Sequence, residues 1–281
     1  MRVSILVIGD EILDGFVEDT NSSWLARQLQ PTAVALDRIA TIRDEISEIG
    51  EVLQSELLRT RPRVVVTTGG VGSTPDDMTY EAVATALNRP LVEHPVIAER
   101  IEASLVSQAE FGGTVSEEQR WHMMRMARVP AGSQLLDEKG EHPGVRLDIE
   151  GGIDAGGAAI MILPGVPSQF RLVVQELVIP ELIDRRGVAS TVVEIQHGLP
   201  ESVLNPIFAR AGENYPEVKL GSYPGLPMRI RLSGPPDLVE EAATFVRGEL
   251  AGLMATDAGA QLAADWTRRL AADEEHLRSA R

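Results

Sequence analysis

Hydrophobic and polar positions along the chain follow two rhythms. Residues 3–8 and 158–163 are short apolar runs, and Val64, Val65 and Val66 form a β-branched one, as expected of strands buried on both faces. Between them the spacing lengthens to that of helices. Trp24, Leu25 and Leu29 share one face of residues 22–29, and Ile46, Ile49, Leu53, Leu57 and Leu58 share one face of residues 44–58. Residues 34–42 accommodate a further strand, and residues 78–87 and 170–182 further helices. Strands alternating with helices predict an α/β fold: a mainly parallel sheet with helices on both faces.

Residues 95–126 read as helical with a break at Phe111-Gly112-Gly113, and Ser116 to Gln119 has the form of a helix start. Trp121, Met123, Met124 and Met126 read as core filler rather than a cofactor box. Residues 135–147 read as a strand pair around Pro143-Gly144. The pattern changes after Arg185-Arg186-Gly187. Strands at 191–195, 218–220 and 228–232 with helices at 201–211 and 238–254 make a small α+β unit, and 255–281 form a helical tail, solvated or loosely docked. The predicted domains are residues 1–186, 187–254 and 255–281.

Composition narrows the class of function. Of the 281 residues, 43% are hydrophobic and 24% charged, which is ordinary for a globular chain. No apolar run approaches the roughly 20 residues of a bilayer helix. A net charge of −16, with Lys139 and Lys219 the only lysines, argues against a nucleic-acid partner, whose phosphates require a basic face. The absence of cysteine excludes disulfides, thiolate catalysis and Cys-based metal sites. The expectation is a cytoplasmic protein without membrane or nucleic-acid partners. Its acidic, lysine-poor surface suits a high-salt, halophilic cytoplasm, where screening removes self-repulsion.

Three loops follow three predicted strands: Gly9-Asp10-Glu11, Gly69 to Asp77, and Pro164 to Ser168. In a parallel sheet such loops emerge at one edge, where ligands bind. The second loop, Gly69-Gly70-Val71-Gly72-Ser73-Thr74-Pro75-Asp76-Asp77, ends where a helix begins, so its amides and the Ser73 and Thr74 hydroxyls can hold an anion. It lacks the lysine of GxxxxGK[ST], and Pro75 replaces the third glycine of GxGxxG. Asp76 and Asp77 beside a phosphate call for a divalent cation between them; alternatively, either one caps the helix. Asp10 and Glu11 can bind a ligand amine or hydroxyl, hold a second metal, or bond locally in a turn. Asn21 is a helix cap or a ligand contact. The five histidines have neither metal-ligand spacing nor triad order and read as structural or surface residues.

The residues 9–15 (Gly-Asp-Glu-Ile-Leu-Asp-Gly), Asp19-Thr20-Asn21, residues 68–79, Met126-Ala127-Arg128-Val129-Pro130 and Leu163 to Ser168 occur in an order that resembles the molybdopterin-binding-like domain of CinA, within the MoaB/MogA superfamily. Residues from Gly198 onward resemble the small KH-like domain that follows it. The resemblance implies a three-layer fold, a molybdopterin or nucleotide ligand, and in some members metal-dependent (Mg²⁺, Mn²⁺ or Co²⁺) pyrophosphatase activity on ADP-ribose or a related dinucleotide. Adenylylation of molybdopterin and non-catalytic binding of a ligand or partner are the alternatives. It further implies that Gly69, Gly70, Gly72 and Thr74 hold phosphate, that Asp76 and Asp77 hold the metal, and that Asp10, Glu11, Asn21 and Ser168 line the pocket. A homo-oligomer is common in the superfamily. Two features depart from the family. Ser73 stands where proline is usual, and the 27 residues after Met254 are too few for the amidase domain of full-length members, so nicotinamide-nucleotide amidase activity is not expected.

Overall fold

The computed structural model describes residues 1–32, 34–110, 114–137, 144–184, 190–225 and 227–279. Contacts divide the chain into two units, Met1–Leu29 with Val34–Gly187 and Gln30–Ala33 with Val188–Arg281. The expected break at 111–113, the Pro143 turn and the boundary at 185–187 lie outside the described residues.

In the larger unit, β1 (Arg2–Ile8) is followed by the short α1 (Asp10–Leu13), then α2 (Asn21–Leu29), β2 (Ala35–Ile42), α3 (Ile46–Leu57), β3 (Arg63–Thr68) and α4 (Thr79–Ala86). A two-stranded ribbon of β4 (Leu91–Glu93) and β5 (Arg128–Pro130) flanks α5 (Pro95–Glu110) and α6 (Glu117–Arg125) in the sequence. Next come β6 (Gln134–Leu135), β7 (Val145–Ile149), β8 (Ala158–Leu163), α7 (Pro167–Val173) and α8 (Ile179–Asp184), the last two joined by a π-helical turn. The main sheet runs β2-β1-β3-β8-β7-β6. Its first four strands are parallel, whereas β7 and β6 pair antiparallel.

Two cores explain the unbroken apolar runs. Ile5, Val7, Val64, Val66, Met161 and Leu163 face α2, α7 and α8. Their alternates Leu6, Ile8, Val65, Ile160 and Ile162 face α3 and α4. Each central strand therefore buries both faces between helical layers. Toward the start of the strands Arg63 is 1% exposed and Glu56 fully buried. They pair at 3.2 Å, with Ser4 and Asp37 completing the network. Met123, Met124 and Met126 do fill a small core with α5, but Trp121 is 61% exposed and is not core.

The smaller unit has an antiparallel sheet β10-β11-β9, of β9 (Thr191–His197), β10 (Lys219–Tyr223) and β11 (Met228–Gly234). Packed with it are α9 (Asn205–Asn214), α10 (Pro236–Met254) and α11 (Asp257–Ser279). The expectation of a loose tail is corrected for the first half of α11: Ala263 is buried in the same core as Leu199 and Val246. No helix among the described residues is long and apolar enough to cross a membrane.

Candidate functional site

The loops after β1, β3 and β8 come together with the start of α2 around a cavity of about 620 Å³. Its wall includes Gly9, Glu11, Asn21, Gly69, Gly70 and Gly72, together with Asp76, Asp77, Pro164 and Gly165. The meeting point is built on absent side chains. A Cβ on Gly69, whose φ is +103°, would stand 2.1 Å from the Ile8 carbonyl oxygen, and one on Gly165 would stand 3.1 Å from the Gly69 Cα. Thr79, fully buried at the start of α4, holds the loop from the other side. Its amide donates to the Gly70 carbonyl and its hydroxyl to that of Gly69, both at 2.9 Å.

Asn21 is the first residue of α2 and does not act as its cap. Asp19 does that work, its Oδ1 accepting from the amides of Asn21 and Ser22 at 3.0 Å. The Asn21 Nδ2 donates to the Gly165 carbonyl at 2.8 Å and to the Thr68 hydroxyl at 3.0 Å, while that hydroxyl donates onward to the Pro164 carbonyl. The Gly165 carbonyl can only accept, which fixes the orientation of the Asn21 amide. Asn21 lines the cavity and is only 6% exposed, and its Oδ1 is buried without a donor among the described residues. An orphaned buried acceptor at this place is one that a ligand N–H or O–H can satisfy.

Neither Asp76 nor Asp77 caps α4: its cap position is Met78, with no side-chain cap bond. The Asp77 Oδ2 instead accepts from the Thr74 amide at 2.9 Å and its hydroxyl at 2.6 Å, closing the loop on itself. Arg125 at the end of α6 clamps this turn from outside, donating to the carbonyls of Thr74 and Asp77 at 3.1 Å and pairing with Glu81. The Thr74 hydroxyl is therefore committed to Asp77, and neither Thr74 nor Ser73 lines the cavity. Asp76 makes no hydrogen bond or ion pair among the described residues and faces the cavity unencumbered.

Two other expected residues stand outside the wall. Asp10 pairs with Arg43 at 3.2 Å on the exposed side of α1, and Ser168 yields its place to Pro167 and Gln169. Asp44, which the apolar spacing of residues 44–58 places at a helix start, in contrast lines the cavity. It follows β2 as Glu11 follows β1, and β2 runs parallel to β1, so its position after a strand was the available signal. Its Oδ2 accepts from the Asp10 amide at 3.0 Å. Burial pushes its carboxyl above the usual range, and the neighbouring Glu11, Asp10 and Asp76 carboxylates add to the rise against the lowering effect of that amide.

Among the described residues the wall carries Glu11, Glu18, Asp19, Asp44, Asp76 and Asp77 but no lysine or arginine. A phosphate here depends on backbone amides and on positive charge brought from elsewhere. No group of three or more His, Asp or Glu residues among those described is gathered as a metal cage. Mg²⁺ bound together with substrate phosphates needs only one or two carboxylates, typically hard oxygen donors such as Asp76 and the Oδ1 of Asp77 provide. The donor set fits a hard cation entering with a phosphate ligand better than a resident ion caged by protein alone.

Residues 4–184 match a family described as a probable molybdopterin binding domain. A protein of Aeropyrum pernix is 33% identical over 251 residues, covering 86% of this chain and 88% of that one. A CinA-like protein of Geobacter metallireducens is 30% identical over 264 residues, which is 90% of this chain but 60% of that protein's length. Among solved structures, the protein CinA of Thermoplasma acidophilum is similar at 25% identity, covering 65% of this chain and 97% of that chain with a TM-score of 0.49. The chain belongs to the molybdopterin-binding domain family, as a relative of the CinA-like proteins.

Proposed function

We propose that the cavity binds a phosphate-bearing pterin of the molybdopterin class, or a nucleotide, together with a divalent cation. The observation that carries this reading is the pairing of a glycine-rich loop with a wall that, among the described residues, holds six acidic side chains and no basic one. The Gly69 amide is already given to the Leu163 carbonyl at 3.3 Å, so the amides of Gly70, Val71 and Gly72 are the ones that meet the phosphate, and Asp76 with the Asp77 Oδ1 holds the cation. Asn21 Oδ1 and the remaining carboxylates accept from ring N–H and amino groups, which pterins and purines both present.

The same arrangement supports hydrolysis of a pyrophosphate such as that of ADP-ribose. A bound cation supplies charge neutralisation at the phosphorus under attack. The chain's own part is to fix the phosphate on the loop and to keep Asp76 free for the ion. Adenylyl transfer to a pterin would use the same residues. Homo-oligomer formation, expected from the superfamily, is read by light scattering.

The test is titration calorimetry with ADP-ribose, FAD and a reduced pterin, each with and without Mg²⁺, Mn²⁺ or Co²⁺ in high salt, alongside chromatographic detection of AMP. Cation-dependent binding supports the site, and AMP release adds the hydrolase reading. Failure of all of these ligands to bind with any cation overturns both.

A further inference from the structure

The smaller unit contains a second pocket, of about 380 Å³, bounded by the end of β9, the start of β11 and one face of α11. Its walls include Gln196, His197, Pro227, Met228, Trp266 and Leu270. Two of these side chains carry buried nitrogens without a hydrogen-bond partner, His197 Nε2 and Trp266 Nε1.

Both nitrogens are donors. The indole Nε1–H can do nothing else. The Leu199 amide donates to His197 Nδ1 at 3.2 Å, which requires a bare lone pair there and leaves the imidazole proton on Nε2. Burial holds His197 below its ordinary value, so the ring is neutral at pH 7. Buried donors are nearly always paired, and two unpaired ones on a single pocket mark the place of an acceptor. Pro227, Met228 and Leu270 offer apolar contact, while Gln196 adds a polar side chain and the Thr267 hydroxyl is committed to the Ala263 carbonyl at 2.9 Å.

We propose that this pocket binds a small organic molecule that presents a carbonyl or carboxylate oxygen to His197 and Trp266 and an apolar body to Pro227, Met228 and Leu270. The site is independent of the cavity in the larger unit, since every wall residue lies within 188–281. It also gives α11 a task that a solvated tail would not have. His197, one of five histidines without motif spacing, lines the same pocket as Trp266 through the fold alone.

The test is nuclear magnetic resonance of the full chain labelled with ¹⁵N-tryptophan, which gives one indole N–H signal for each of three tryptophans. Trp266→Phe assigns the signal of interest. Benzoate and benzamide serve as probes for the carboxylate and carbonyl forms. The expected result is a saturable shift of the Trp266 signal with at least one probe, while Trp24 and Trp121 stay in place. His197→Leu should weaken that binding by about tenfold, and His197→Gln, which keeps a donor near Nε2, should restore most of it. If His197→Leu misfolds by circular dichroism, ligand-observed spectra of Trp266→Phe replace it, with the same tenfold loss expected. The proposal is overturned if neither probe shifts Trp266 at millimolar concentration, if all three indoles shift alike, or if the donor-deleting variants bind unchanged. A shift confined to Trp266 but indifferent to His197 likewise overturns it.

Discussion

The Asn21 side chain joins the start of α2 to the loop after β8 by donating from Nδ2 to the Gly165 carbonyl at 2.8 Å, across 144 positions of sequence. That bond, with its companion to Thr68, holds two of the loops of the cavity at their working distance. Asn21→Ala leaves the Gly165 carbonyl and the Thr68 hydroxyl without their donor. The expected cost is about 1–3 kcal/mol of stability, read by urea denaturation, together with weaker ligand binding. Asn21→Asp should be worse on both counts, because a carboxylate faces the Gly165 carbonyl oxygen. A variant as stable as the parent that binds equally well would remove Asn21 from the site.

Asp76 and Asp77 separate by their partners. Asp77 accepts two bonds from Thr74, whereas Asp76 accepts none from the described residues. Asp76→Ala should therefore leave the free energy of unfolding within about 0.5 kcal/mol of the parent, as surface changes do, while cation-dependent binding falls at least about tenfold. Asp77→Ala should lose both, because the turn that Arg125 clamps comes apart. Equal cation dependence in the parent and in Asp76→Ala would remove Asp76 from the cation site.

None of Ser4, Asp37, Glu56 and Arg63, the ion network near the start of the strands, lines the cavity. Glu56→Gln leaves Arg63, 1% exposed, short of an anion, and breaking a buried pair of this kind costs about 3 kcal/mol. Denaturation should show that loss with no change in ligand affinity per folded molecule.

Asp37 gives the network its pH dependence. Burial raises its pKa, but the hydrogen bond and charge of Arg63, with Arg59 and Arg2, outweigh this and leave it below 3.8. The unfolded chain then takes up the proton first, so the stability Asp37 contributes is complete above its unfolded value and is lost as pH falls through the folded one. Urea midpoints measured from about pH 5 down to 3 should decline, and Asp37→Asn should flatten part of that decline.

The formal charge of −16 predicts salt dependence of the whole fold. Dialysis to low ionic strength lengthens the screening distance from about 3 Å at 1 M to about 30 Å at 0.01 M, so self-repulsion rises. Helical circular dichroism should fall in low salt and return when salt is restored. An unchanged spectrum would argue against a high-salt habitat.

Much of this molecule was readable from local pattern. The runs at 3–8, 64–66 and 158–163 could only be buried strands, since each places apolar side chains on both faces. The glycines of the Gly69 loop marked bare backbone able to meet an anion, but the close approach that a Cβ on Gly69 would block at Ile8 came from the fold. The convergence of three loops followed from parallel strands sharing one edge.

What the tertiary structure decided was who pairs with whom. Asp10 went to Arg43, the Thr74 hydroxyl to Asp77 and the helix cap to Asp19. Asp44 entered the cavity unannounced, and His197 and Trp266 came to line one pocket in the second unit. The physical reason is one of range. Periodicity records which way a side chain faces its own element, and apolar burial is non-directional enough to follow from that alone. Hydrogen bonds and ion pairs are fixed within a few tenths of an ångström by atoms tens of residues away, and only the folded chain brings those atoms within reach.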